Sequence, residues 1–226
     1  MNTRTWLKIA LLVVGLTAFA VASPVPVTFT SATSGLGGAP NPPQGVFYYP
    51  YQLIVNGATV IVACDDFDDE VHLGENWNAD VNTFSSLSDT LFWDPSNTAA
   101  STTKYEEAAW LFSKLTPPPP LDNTVNAAIN WAMWDLMDGD TPTFNGGGGA
   151  TTTSAYWLGL AQGQNLTGFD FSSFVIYTPK NGWPSNDGRP QEYIGEVPEP
   201  STVFLLMTGL AGLAWMGWRR REATEC

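Results

Sequence analysis

Apolar and polar residues alternate along this chain with a changing period, and the changes mark where strands give way to helices. Residues 46–49 (Val-Phe-Tyr-Tyr), 53–55 (Leu-Ile-Val) and 59–64 (Thr-Val-Ile-Val-Ala-Cys) are β-branched or aromatic runs, suited to a pleated, half-buried surface. They are broken by Pro50 and by Asn56-Gly57. Asn-Gly between two such runs predicts a tight hairpin, with Cys64 ending its second strand. Another short strand is predicted around 77–81. The period then lengthens. Tyr105, Ala108, Ala109, Phe112 and Leu115 share one helical face within 104–115, and Pro117, Pro118, Pro119 and Pro120 stop that helix and make a stiff connector. Val125, Ala128, Ile129, Ala132, Met133 and Leu136 recur at helical spacing, with Asp122 or Asn123 placed to cap the start and Gly139 to end it.

Downstream, 144–150 is a glycine-rich loop, 154–162 suits a third helix, and 174–177 and 192–194 read as late strands. Upstream, 23–43 is rich in Ser, Thr, Gly and Pro and predicts a loose lead-in with at most an edge strand at 25–30. No internal repeat is present. Strands, then helices, then strands argue for an α+β fold: an antiparallel sheet or barrel with two or three packed helices.

Both ends carry a different pattern. Arg4 and Lys8 precede an apolar stretch over 9–20, and Ala20-Val21-Ala22 supplies small residues at the spacing of a signal-peptide cleavage site before Ser23. Residues 201–218 hold no charge; at 1.5 Å per residue they span roughly 27 Å, against ~30 Å of bilayer hydrocarbon. Arg219, Arg220 and Arg221 follow directly, and such a cluster stays on the cytoplasmic side, with Trp215 and Trp218 suited to the headgroup zone. The expected organisation is a signal peptide (1–22), a flexible leading segment (23–44), an exported α+β domain (45–196), and a C-terminal segment (197–226) with a transmembrane helix at 201–218.

Val197, Pro198, Glu199, Pro200, Ser201 and Thr202, followed by the apolar helix and Arg219 to Arg221, resemble the PEP-CTERM sorting signal of Gram-negative bacteria. The resemblance implies Sec-type export, a membrane-anchored precursor, and processing by an exosortase-type membrane protease. It also implies a mature protein at the cell surface or outside the cell, often among exopolysaccharide. Pro198 and Pro200 lack backbone donors and favour an extended strand, which a protease recognises readily.

Charge narrows the partners. Between Ser23 and Pro198 stand four bases, Lys104, Lys114, Lys180 and Arg189, against 19 acids, a net −15. Such a field repels polyanions, so nucleic acid is excluded as a partner. Of the two cysteines, Cys64 lies in the exported part and Cys226 behind the arginines; the bilayer separates them in the precursor.

Residues 62–66 (Val-Ala-Cys-Asp-Asp) and 129–136 (Ile-Asn-Trp-Ala-Met-Trp-Asp-Leu) together resemble the thioester domains of bacterial surface adhesins. The resemblance implies an internal thioester on Cys64, with Trp134 matching the family's tryptophan. Asn130 stands where the family has glutamine, one methylene longer. The alternative reading is a buried Cys64 and an Asn130 that hydrogen-bonds nearby backbone. His72, the one histidine, lies in an acidic turn with no nucleophile signature around it. Asp65, Asp66, Asp68 and Asp69 are hard-oxygen donors of the kind calcium takes, but without the spacing or central glycine of a calcium loop. Trp183, in Asn181-Gly182-Trp183-Pro184, is the best surface aromatic for stacking on sugar. The expectation is a non-enzymatic, surface-sorted protein without cofactor, structural or adhesive. The alternatives are a carbohydrate-binding module of an exopolysaccharide matrix and an extracellular hydrolase.

Overall fold

The structure, a computed structural model, describes residues 24–34, 46–115, 123–139, 141–180, 188–197 and 209. The signal peptide, the proline connector, Asp122, Trp183, the sorting residues from Pro198 onward, the 201–218 span and Arg219 to Arg221 lie outside the described residues. The chain divides into two compact units, 1–196 and 197–226.

Six antiparallel strands close into a barrel in the order β1-β2-β3-β6-β5-β4. They are β1 (Val25–Ser34), β2 (Phe47–Val55), β3 (Ala58–Cys64), β4 (Asn76–Thr83), β5 (Phe174–Pro179) and β6 (Tyr193–Glu196). Three helices, α1 (Thr98–Phe112), α2 (Asn123–Met137) and α3 (Ser154–Gln162), come between β4 and β5. The α+β class, the antiparallel barrel and the three helices agree with the sequence pattern.

Local chemistry explains most boundaries. Asn56 (φ 49°) and Gly57 (φ 83°) both take left-handed backbone, the requirement of the tight turn joining β2 to β3. The Asn97 side chain accepts a hydrogen bond from the Ala100 N–H and starts α1. Gly139 (φ 86°) follows the end of α2.

Four expectations need correction. The lead-in 23–44 is not loose throughout, because β1 occupies 25–34. Nor is β1 an edge strand: Val27 pairs with Val55 of β2 on one side and Trp77 of β4 on the other. This closure removes the sheet's free edges. Pro50 does not break β2; the β1–β2 register slips between Ala32↔Tyr51 and Thr33↔Tyr48, and such an irregularity tolerates a residue without an N–H. Helix α1 also starts six residues earlier than its apolar face suggests, because the small and hydroxylated residues 98–103 add turns without adding apolar positions.

Strand alternation sorts side chains into two cores. Val62, Cys64, Trp77, Ala79, Val175, Tyr177 and Tyr193 belong to the cluster that fills the barrel. Ala63, Ile176 and Ile194, one residue out of phase, belong to a second cluster with Ala108 and Leu111 of α1 and Met133 and Leu136 of α2. Helix α2 serves both, since Ala127, Ala128, Trp131 and Trp134 join the barrel cluster. It is buried on nearly every face, and so its apolar stripe is wider than an amphipathic surface helix carries.

At Gly195, in β6, an added Cβ would lie 2.8 Å from Cγ1 of Val62 in neighbouring β3. Gly195→Ala is expected to lower unfolding stability by about 1–3 kcal/mol, the usual cost of overpacking a filled core. Urea denaturation of the two chains side by side measures it.

Candidate functional site

The two motifs singled out in the sequence meet at one end of the barrel. The β2–β3 ladder runs from Val55↔Ala58 to Tyr51↔Val62, and continuing that register two residues further sets Tyr49 opposite Cys64. Here the strands part and Asn130 of α2 enters between them. Its Oδ1 accepts from the Tyr49 N–H at 2.8 Å, and its Nδ2 donates to the Cys64 carbonyl at 2.8 Å. The side-chain amide thus stands in for a peptide unit in the ladder. Asn130 is fully buried, so both bonds form where an unpaired group is expensive. Cys64 Sγ points elsewhere and donates to the Asp66 carbonyl at 2.9 Å. Burial, together with the charges of Asp66 and Asp65, pushes this thiol well above its usual range, which disfavours the reactive thiolate.

Beyond Cys64 the chain buries carboxyl groups. Asp65 is 0 % exposed, and among the described residues neither of its carboxyl oxygens has a hydrogen-bond partner. Desolvation, then Glu192 and Asp66, raises its pKa well above the ordinary value. Asp66 accepts from the Asp69 and Glu192 N–H groups at 3.2 and 3.4 Å; burial, then its contacts with Asp69, moves it up to about 8. Glu192 is better served. It accepts from the Tyr105 hydroxyl at 2.6 Å, the Leu91 N–H at 2.9 Å and the Thr178 hydroxyl, and so ties β5, α1 and the 84–97 connection to the segment entering β6. Burial still raises its pKa against those three donors.

Over this turn opens a pocket of about 360 Å³, lined by Val46, Phe47 and Tyr51 at the start of β2, residues 67–72 except Asp68, Trp134 of α2, and Gln191. Phe67 leans on Trp134 with ring centroids 5.2 Å apart. The Trp134 indole N–H is buried against the Cys64 thiol. The lining residue Asp69 is held in an ion pair with Arg189, whose Nε donates to Asp69 Oδ2 at 2.6 Å. Aromatic faces beside a few convergent polar groups are the usual make-up of a small-molecule site.

The expected site residues therefore separate. Cys64, Asn130 and Trp134 come together, Asp65 and Asp66 are buried beside them, Asp69 is paired with Arg189, and Asp68 is exposed. Among the described residues no three His, Cys, Asp or Glu side chains are placed to hold a metal ion. His72 lies on the pocket rim rather than against the thiol. Val197 is exposed at the start of the C-terminal unit. Among the described residues no helix is long and apolar enough to cross a membrane, and the 201–218 span lies outside them. Gln191, Glu192 and Phe67 were not expected. For Glu192 the one signal is a carboxylate opening the apolar run Tyr193-Ile194.

Residues 196–221 match the PEP-CTERM protein-sorting motif. The motif marks an exported protein with a membrane-anchored precursor, recognised by an exosortase. No curated protein and no solved structure matches the chain, so the thioester-domain resemblance finds no support there.

Three outcomes follow from this geometry. Asn130→Ala is expected to cost about 2–4 kcal/mol in urea denaturation, because it strands two buried backbone groups. Intact-mass measurement distinguishes a bridging amide from a thioester: the full mass is expected, with the thiol alkylated only after unfolding, whereas loss of one ammonia would show the bond. Asp66 holds a proton in the folded state up to about pH 8, where the unfolded chain releases it near 3.8. Its share of stability is therefore complete below pH 3.8 and is lost as pH rises through about 8. The urea midpoint should fall between about pH 5 and pH 8, and Asp66→Asn should flatten that fall.

Proposed function

We propose that the exported barrel is a non-enzymatic adhesive module of the cell surface that holds a saccharide unit of the surrounding polysaccharide in the pocket at its mouth. The observation that carries this reading is the pocket itself. At about 360 Å³, with Phe47, Phe67, Tyr51 and Trp134 beside Gln191, Asp69, Glu70 and His72, it combines flat apolar faces with hydrogen-bonding groups. Aromatic rings pack on the C–H faces of a pyranose, while amide and carboxylate groups accept its hydroxyls. The sorting motif supports the setting, since it sends the domain out of the cytoplasm.

A binding role fits these residues better than catalysis. A glycoside hydrolase needs two free carboxyl groups about 5–9.5 Å apart across the scissile bond, and here Asp69 is held by Arg189, leaving Glu70 as the free one on the rim. A thiol nucleophile needs an adjacent base, and Cys64 is hydrogen-bonded to a carbonyl instead. A thioester would release the nitrogen of Asn130 as ammonia, and that nitrogen is the donor to Cys64; the backbone-bridging role is favoured.

Phe67 is half-buried and lines the pocket, so Phe67→Ala removes one stacking face without emptying the core. Full-length protein in detergent should be retained on immobilised polysaccharide, and Phe67→Ala should lose up to about tenfold in affinity, the scale of one aromatic stacking contact. Equal retention of both chains rejects the pocket as the binding site.

A further inference from the structure

We infer that the pocket selects amine-bearing sugars, hexosamine units with a free amino group, over N-acetylated or uronic-acid units. This rests on the saccharide reading above and concerns which saccharide. The rim charges decide it. Asp69 and Arg189 cancel each other in their ion pair, whereas the exposed Glu70, one residue on, has no hydrogen bond or ion pair among the described residues and also lines the pocket. The rim therefore keeps one uncompensated carboxylate. An ammonium group on a bound sugar would supply its counter-charge, in a recess where water screens the pair less than on open surface.

The wider charge acts in the same direction. Asp68 is exposed beside the rim and Glu75 accepts from the His72 N–H at 2.9 Å, within a domain that carries 19 acids and four bases. Such a field draws cationic polymers and repels uronates. Inside the pocket, Gln191 adds no charge, and its amide is held in place, Nε2 donating to the Asp66 carbonyl and Oε1 accepting from the Tyr193 hydroxyl. Arg189 is already engaged by Asp69, so its guanidinium is not free to bind a sugar carboxylate.

The test uses full-length protein in detergent and three probes: a β-linked glucosamine tetramer, its fully N-acetylated counterpart and an oligogalacturonate, each titrated by calorimetry. The glucosamine tetramer is expected to bind about tenfold tighter than the acetylated one, the worth of one charge-assisted hydrogen bond. Glu70→Gln should erase that difference, and Asp89→Asn, an exposed carboxylate elsewhere, should leave it intact. Equal or tighter binding of the acetylated or uronic probe overturns the amine preference while leaving saccharide binding in place. Loss of the preference in Asp89→Asn overturns it too, by assigning it to bulk charge. Absence of binding by all three probes defeats the saccharide reading together with it.

Discussion

One side-chain amide holds the functional end of this molecule together. Where β2 and β3 part, the Tyr49 N–H and the Cys64 carbonyl would be left facing each other across a gap in a dry interior. Asn130 closes that gap with one acceptor and one donor. Because Asn130 belongs to α2, the same two bonds fix the helix against the hairpin and set Trp131 and Trp134 over the barrel mouth. The length of asparagine suits this role: a longer side chain would have to buckle to offer both ends of its amide to the two strands. The residue that departs from the thioester pattern is thus the residue whose hydrogen bonds the fold uses.

From that fixed point the chain runs straight into buried acid. Asp65 and Asp66 cannot both ionise cheaply beside Glu192, and burial holds protons on them. Glu192 is the best satisfied of the three, and its partners lie on elements that share no sequence neighbourhood: α1, the connection before it, and β5. The end of the barrel is therefore polar in composition while its buried acids favour the neutral form, and the unpaired carboxyl groups of the turn lie outward, at Asp68 and Glu70. That separation of buried acids from exposed ones leaves Glu70 as the unpaired carboxyl group on the pocket rim.

Much of the architecture was legible from residue pattern because local signals coincide with tertiary ones. The Asn56-Gly57 turn, the strand ending at Cys64 and the helix from 154 to 162 are consequences of short-range periodicity, whereas the approach of Asn130 to Cys64, 66 residues apart, was expected only from the resemblance to thioester domains. What stayed hidden depends on partners far away in the chain. β1 is a full barrel strand because β2 and β4 flank it, while its own Thr- and Ser-rich composition reads as a loop. Glu192 is a core residue because Tyr105 and Thr178 reach it, which no window of sequence reveals. The pocket draws on β2, the turn after β3, α2 and Gln191, so only closure of the barrel assembles it.

The last strand carries one more implication. β6 is four residues long, lies between β3 and β5, and ends at Glu196, where the sorting motif begins. Fold and address label thus abut with no spacer. A cut after Glu196 spares every stave of the barrel, but a cut a few residues earlier would pull one out and leave two raw edges ready to stick to other chains. Any processing upstream of Glu196 would therefore cost the barrel a strand.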